Sequence, residues 1–197
     1  DKVRGQAAYI DDLPNPPGTV HMAVLRSPYS HARIQSVDST LAEALPGVLA
    51  VLDRDHLDGL APMLPAHGHE LWKIKPDQNF IAIDKVRFDG ELVVAVAAED
   101  LKTAQRAVGL IDVEYEMLPP IFDAREALNP GSALVHEDHG SNLLLEDKLE
   151  WGDAKKGFKE ADHIFEDTYT SPSMFHHPME AVGGCLAQFI NDEVTLW

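Results

Sequence analysis

Apolar and polar positions alternate along this chain in short runs, punctuated by glycine and proline. Val20 to Arg26 is an apolar run thickened by Ala23 and Val24, and it predicts a strand. Ala32 to Val37 alternates through Ile34, Gln35, Ser36 and Val37, the pattern of a half-buried strand. Thr40-Leu41-Ala42-Glu43 has the capping-box form and predicts a short helix ended by Pro46-Gly47, and Val48 to Leu52 predicts a buried strand. The Pro/Gly/His-rich stretch 58–79 predicts a surface loop. Strand signals return at Phe80 to Ile83, Val86 to Phe88 and Leu92 to Ala97. Asp100 is placed to cap a helix to about Gly109 with Leu101, Ala104, Ala107 and Val108 on one face, and Ile111 to Tyr115 predicts a further strand. Connections this short cannot make parallel crossovers, and helices and strands do not alternate regularly, so the fold class is α+β.

Past Pro120 the texture changes. Asp123 to Leu128 predicts a short helix broken by Asn129-Pro130-Gly131. From Glu137 to Asp167 there are ten acids and four lysines, which reads as a solvated connector followed by an amphipathic helix around Ala154 to Ala161. His163 to Tyr169 and Cys185 to Ile190 predict strands, and Asn191-Asp192 predicts a two-residue hairpin turn into Val194 to Trp197. Upstream, Pro17-Gly18 suits the centre of a type II turn.

Charge narrows the function classes. With 33 acidic against 16 basic side chains among 197 residues the formal charge is −17, which disfavours nucleic acid and anionic membrane surfaces as partners. No apolar run reaches the roughly 20 residues of a membrane span. A single cysteine, Cys185, excludes an internal disulfide and any Cys-rich metal site, and suits the cytoplasm. The chain opens on Asp1 and stops at Trp197 inside a predicted strand, so it reads as a piece of something longer.

No stand-alone active site announces itself: there is no glycine-rich phosphate loop, nucleophile elbow, CxxC or HExxH. His67-Gly68-His69 would need a third metal ligand from elsewhere. His136-Glu137-Asp138-His139 runs straight into Gly140, which argues for an exposed acidic loop over a helical ligand pair. Asp11-Asp12 reads as a turn former, and Cys185 as a buried small hydrophobe within a strand. His176-His177-Pro178-Met179-Glu180 is the most informative stretch. A carboxylate three residues from an imidazole can orient it or shift its pKa, while polar groups between a turn and a core are also common structural hydrogen-bonders.

Several segments together carry a resemblance. Gly5 to Asp12 (GQAAYIDD), Arg26 to Ile34 (RSPYSHARI), Ala44 to Val48 (ALPGV) and Asp84 to Glu91 (DKVRFDGE) resemble the opening of the molybdenum-binding subunit of xanthine dehydrogenases and aldehyde oxidases. Ala98-Glu99-Asp100, Val113 to Pro119 (VEYEMLP), Trp151-Gly152-Asp153, Glu160-Ala161-Asp162 and His177-Pro178-Met179-Glu180 continue the series in order over essentially the whole chain. The resemblance implies an α/β hammerhead domain over 1–120, a connector over 121–141, and the beginning of a molybdopterin-binding domain over 142–197. It further implies a molybdenum hydroxylase, an oxidoreductase that hydroxylates a purine, aldehyde or N-heterocycle with water as oxygen source. Molybdenum–molybdopterin would sit in the complete enzyme, with two-iron two-sulfur clusters and FAD on partner domains or chains.

On this reading His177 and Glu180 are the cofactor-binding residues, and no catalytic or metal-ligating residue lies within the chain. The family's glutamine-bearing strand, F-G-G loop and late glutamate would all fall beyond Trp197, so the 197 residues alone are expected to be inactive. Met174 to Glu180 (MFHHPME) departs from the xanthine dehydrogenase Q-E-H-F-Y-L-E stretch and stands nearer the aldehyde and carbon-monoxide branches. The competing reading is a non-catalytic binding or assembly module of the same ancestry.

Overall fold

The computed structural model describes residues 2–57, 62, 78–174, 176–177, 180 and 184–197. These divide into two compact units, one formed by Gly18–Lys148 and the other by Asp1–Pro17 together with Leu149–Trp197. The loop predicted at 58–79, with His67 and His69, lies almost entirely outside the described residues.

Within the first unit, β1 (His21–Arg26), β5 (Leu92–Ala98) and β3 (Val48–Leu52) form a sheet with β5 in the middle. A second sheet runs β4 (Lys85–Val86), β2 (Ala32–Asp38), β6 (Asp112–Met117). Each of these pairings is antiparallel, and none joins strands consecutive in the chain. The central place of β5 explains its unbroken LVVAVAA composition: flanked on both edges, it buries Val93, Val94, Val96 and Ala98. These valines join Ala32, Ile34, Val51 and Val86 in one core that spans both sheets.

Helix α1 is Thr40–Glu43, and α2 is Leu101–Val108. The latter packs on β1 and β5 through Ala104 and Ala107, and its start is capped by Asp100, whose carboxylate accepts from Thr103 N at 2.9 Å. At Gly47 the backbone takes φ +91°, and a Cβ there would meet Thr103 Cγ2 at 3.3 Å, so the turn out of α1 needs glycine for conformation and clearance. Truncating Val94, which is wholly buried, is expected to cost about 2–3 kcal/mol from lost transfer energy plus the residual cavity. Urea unfolding of the Val94→Ala variant measures it, and a change below about 0.5 kcal/mol would show that β5 does not organise this core.

Several local expectations are corrected. Val48 to Leu52 is an edge strand in which only Val51 is buried, because β5 covers one side of it alone. Residues 80–83 form no strand: Ile81 and Ala82 are buried, and Ala82 N donates to Leu92 O as an isolated contact. Val86 to Phe88 shrinks to the two-residue β4. Thr40 is the first residue of α1, following Ser39 at the cap, and its N–H is satisfied by Asp38. In β2 the alternation breaks at a bulge between Ile34 and Ser36. There Arg54 reaches in and donates to the carbonyls of Ile34 and Gln35 at 3.1 and 3.3 Å.

The second unit carries α4 (Ala154–Glu160), capped by Asp153, and the hairpin β7 (Ala187–Ile190) to β8 (Glu193–Leu196). Between them in sequence order and the first unit's β6 lies the one-turn α3 (Ala124–Ala127), which belongs to the first unit. Asn191 and Asp192 have φ of +50° and +65°, the two positive values that a type I′ turn requires. His163 to Tyr169 forms no strand: it is exposed coil that joins no sheet among the described residues. Cys185 is likewise exposed, because it precedes β7 instead of lying within it.

Candidate cofactor-facing site

The segments that carry the family resemblance are mostly scaffold. Arg26 Nη1 donates to Gly90 O at 2.8 Å, joining the end of β1 to the turn before β5. His31 is buried just ahead of β2, and its Nδ1 donates to Pro119 O at 2.7 Å. Its main-chain oxygen accepts from Leu118 N, so the SPYSHARI and EMLPP stretches close on each other beside β2 and β6. Tyr29 and Tyr115 meet edge to face at 5.2 Å, and burial raises the Tyr115 hydroxyl pKa above its ordinary value. Glu91 accepts from Arg87 N, and burial pushes its carboxyl up as well. Of these groups, Arg87 and Glu91 line a small cavity. The cavity at Gln78, Asn79, Arg87, Glu91 and His136 has a volume of about 170 Å³, below the range of ordinary ligand sites.

A part-buried ion pair lies past α3 in the chain, at Glu137. Lys85 is wholly buried, and its Nζ donates to Glu137 Oε2 at 2.6 Å and to Leu134 O at 3.3 Å. Arg33 donates to the other carboxylate oxygen at 3.1 Å. The Lys85 ammonium, with Arg33 adding to it, holds the Glu137 carboxyl down at about 2. Glu137 is therefore not one more acid of a solvated run, as the sequence suggests. It ties the short 3₁₀ turn Glu137–His139 to β2 and β4. Nothing in its sequence neighbourhood separates it from the nine other acids of that stretch.

The stretch singled out by sequence belongs to the second unit. His176 and His177 are exposed, and His177 adopts φ +44°, a left-handed backbone rarely taken by a residue with a side chain. Glu180 is half-buried, and its Oε1 accepts from Ile10 N at 3.0 Å across 170 positions of sequence. Ile10 opens a 3₁₀ turn, Ile10–Asp12, in which Asp12 bonds back to Tyr9 N at 3.0 Å. The expectation that Asp11-Asp12 forms a turn therefore holds. Gly184 lies against the same isoleucine: a Cβ there would stand 3.1 Å from Ile10 Cγ2.

The donor set can be tested against the implied cofactor. Among the described residues no three His, Cys, Asp or Glu side chains are grouped to hold a metal ion. The implied pterin brings its own dithiolene ligands to a metal, and such a group is anionic. The Glu180 carboxylate is turned onto a main-chain N–H, and the His177 imidazole is exposed, so neither described residue sets an unpaired negative charge against it.

Residues 4–119 match the family described as aldehyde oxidase and xanthine dehydrogenase, a/b hammerhead domain, and residues 135–197 match the molybdopterin cofactor-binding domain. A probable xanthine dehydrogenase component from Bacillus subtilis is 38% identical over 183 residues, 93% of this chain and 23% of the relative. The carbon monoxide dehydrogenase large chain of Afipia carboxidovorans is 33% identical, over 98% of this chain and 25% of its own length. The crystal structure of the aldehyde oxidoreductase from Desulfovibrio desulfuricans superposes with a TM-score of 0.70 at 27% identity, covering 82% of this chain and 18% of that one. The chain thus spans about a quarter of the length of the curated relatives it matches.

Proposed function

The chain belongs to the aldehyde oxidase and xanthine dehydrogenase family, and from that premise we propose that it forms the opening of the molybdenum-binding part of a molybdenum hydroxylase. The observation that carries the reading is the succession of the two matched regions, hammerhead then cofactor-binding domain, within one chain. In the proposed organisation the hammerhead occupies 1–120, 121–141 is the connector, and 142–197 begins the cofactor domain.

When bound, molybdenum–molybdopterin supplies the oxidative hydroxylation of a purine, aldehyde or N-heterocycle with water as the oxygen source. This chain's own part is scaffold and pocket wall. The cofactor-facing residues we assign are those of the stretch carrying His177 and Glu180. There an exposed imidazole and main-chain groups can donate to an anionic group. Iron–sulfur and FAD partners would carry electrons away, the remainder of the molybdenum-binding domain would close the pocket, and the assembly would work in the cytoplasm. The 197 residues by themselves would not turn over substrate.

The reading is tested by metal and pterin analysis of the native gene product, followed by activity screening against the three substrate classes. Near-stoichiometric molybdenum is expected, together with a several-fold fall in cofactor content in a His177→Ala variant. Native protein that carries neither metal nor pterin would overturn the proposal in favour of a non-catalytic assembly module.

A further inference from the structure

Two contacts bring Ile10 onto Glu180 and Gly184. The first is polar. In the 3₁₀ turn Ile10–Asp12 the main-chain bonds run from Asp12 N to Tyr9 O and from Leu13 N to Ile10 O, so the opening N–H groups of the turn have no partner within its main chain. The Asp12 side chain meets Tyr9 N, and Ile10 N is met by Glu180, 170 residues away. A carboxylate accepting a main-chain N–H is a charge-assisted bond, stronger than one between neutral groups. The second contact is steric. The Ile10 side chain lies so close to the Gly184 backbone that any side chain at 184 would meet it at 3.1 Å. One residue of the N-terminal segment is thus gripped from both ends of the 180–184 stretch, by charge at one and by close approach at the other.

We infer that Glu180 is a positioning residue: its carboxylate moors the N-terminal segment at Ile10, and the mooring constrains the backbone on which His177, three residues earlier, is presented. The inference rests on the proposal that this stretch faces the cofactor, and it divides the labour between the two residues. His177 meets the group, and Glu180 acts through Ile10. The left-handed backbone at His177 gives the mooring its purpose. A conformation disfavoured for a residue with a side chain persists only where its surroundings hold it, and an anchor three residues downstream is such a constraint.

The test uses the native gene product and reads two quantities independently: hydrogen exchange in the peptide containing the Ile10 amide, and bound molybdenum and pterin. Glu180→Ala is expected to speed exchange at Ile10 by about tenfold or more, the loss of one charge-assisted bond, and to lower cofactor content with it. Glu180→Gln keeps an acceptor oxygen at the same reach and is expected to preserve most of the protection. Gly184→Ala presses on the same isoleucine without touching the carboxylate, so it should mimic Glu180→Ala, and it keeps the test open if that variant folds poorly. Glu180→Ala with full cofactor loss but unchanged Ile10 exchange would overturn the mooring, because Glu180 would then act on the cofactor itself. Loss of protection with undiminished cofactor would uphold the mooring and instead refute the assignment of this stretch to the pocket.

Discussion

Replacing Glu137 by alanine is expected to destabilise the Gly18–Lys148 unit by about 2–3 kcal/mol, although Glu137 is itself 46% exposed. The loss comes from its partner. Lys85 has no exposed surface, and without the carboxylate its ammonium keeps, among the described residues, the Leu134 carbonyl at 3.3 Å. A stranded buried charge costs more than the pair itself contributes, and water entering beside the exposed Glu137 position holds the figure at the low end. Lys85→Met removes the charge while keeping an unbranched apolar stem, so it is expected to stay within about 1 kcal/mol of the wild type. The double variant should resemble Lys85→Met. Chemical denaturation of the three variants decides the matter: a Glu137→Ala loss no larger than that of Lys85→Met would mean that Lys85 finds another partner.

The same pair sets a pH dependence. Glu137 is held at about 2 in the folded chain against an ordinary 4.5, so the folded state binds fewer protons than the unfolded state across that interval. Its contribution is therefore complete above about pH 4.5 and is lost as the pH falls toward 2. Glu137→Gln should flatten that part of the acid-stability curve, which equilibrium unfolding at successive pH values would follow.

The second large effect concerns the 197 residues expressed by themselves, which are expected to self-associate. The second unit leaves Trp151, Phe158, Ile164, Phe165, Phe189 and Leu196 exposed, with Phe165 at 92%. Phe158, Ile164 and Phe165 line one open groove beside α4 with a volume of about 310 Å³. Monomers rarely present contiguous apolar surface on this scale, and the short β7–β8 ribbon adds unpaired strand edges. Sedimentation should show concentration-dependent species, and charged replacements at Phe165 and Phe189 should shift them toward monomer. A monodisperse monomer at tens of micromolar would sink this expectation.

How far the sequence can be read depends on what each feature leans on. β1, β2, β5, α2 with its Asp100 cap and the Asn191-Asp192 turn rest on periodicity or on residue-specific backbone geometry, and they are legible. Val48 to Leu52 looks buried because an apolar run does not say how many edges a strand has covered; β3 has one. His163 to Tyr169 has strand composition, but a strand exists only where a partner ladder does. Lys85 and Glu137 are invisible as a pair, since a two-residue strand has no period and 52 positions separate them. For Glu180 the sequence suggests a partner three residues away, and the structure supplies one 170 residues away.

That separation bears on how the molecule is made. A ribosome adding roughly 5–20 residues each second leaves the Ile10 amide without its acceptor for roughly 10–35 s, until Glu180 has been polymerised. Gly18–Lys148 holds all the residues of the core described above and can condense during that wait. The two-ended unit can close only afterwards. For those seconds the segment around Ile10 is without the Glu180 and Gly184 contacts that later hold it, and stays open to proteases and chaperones.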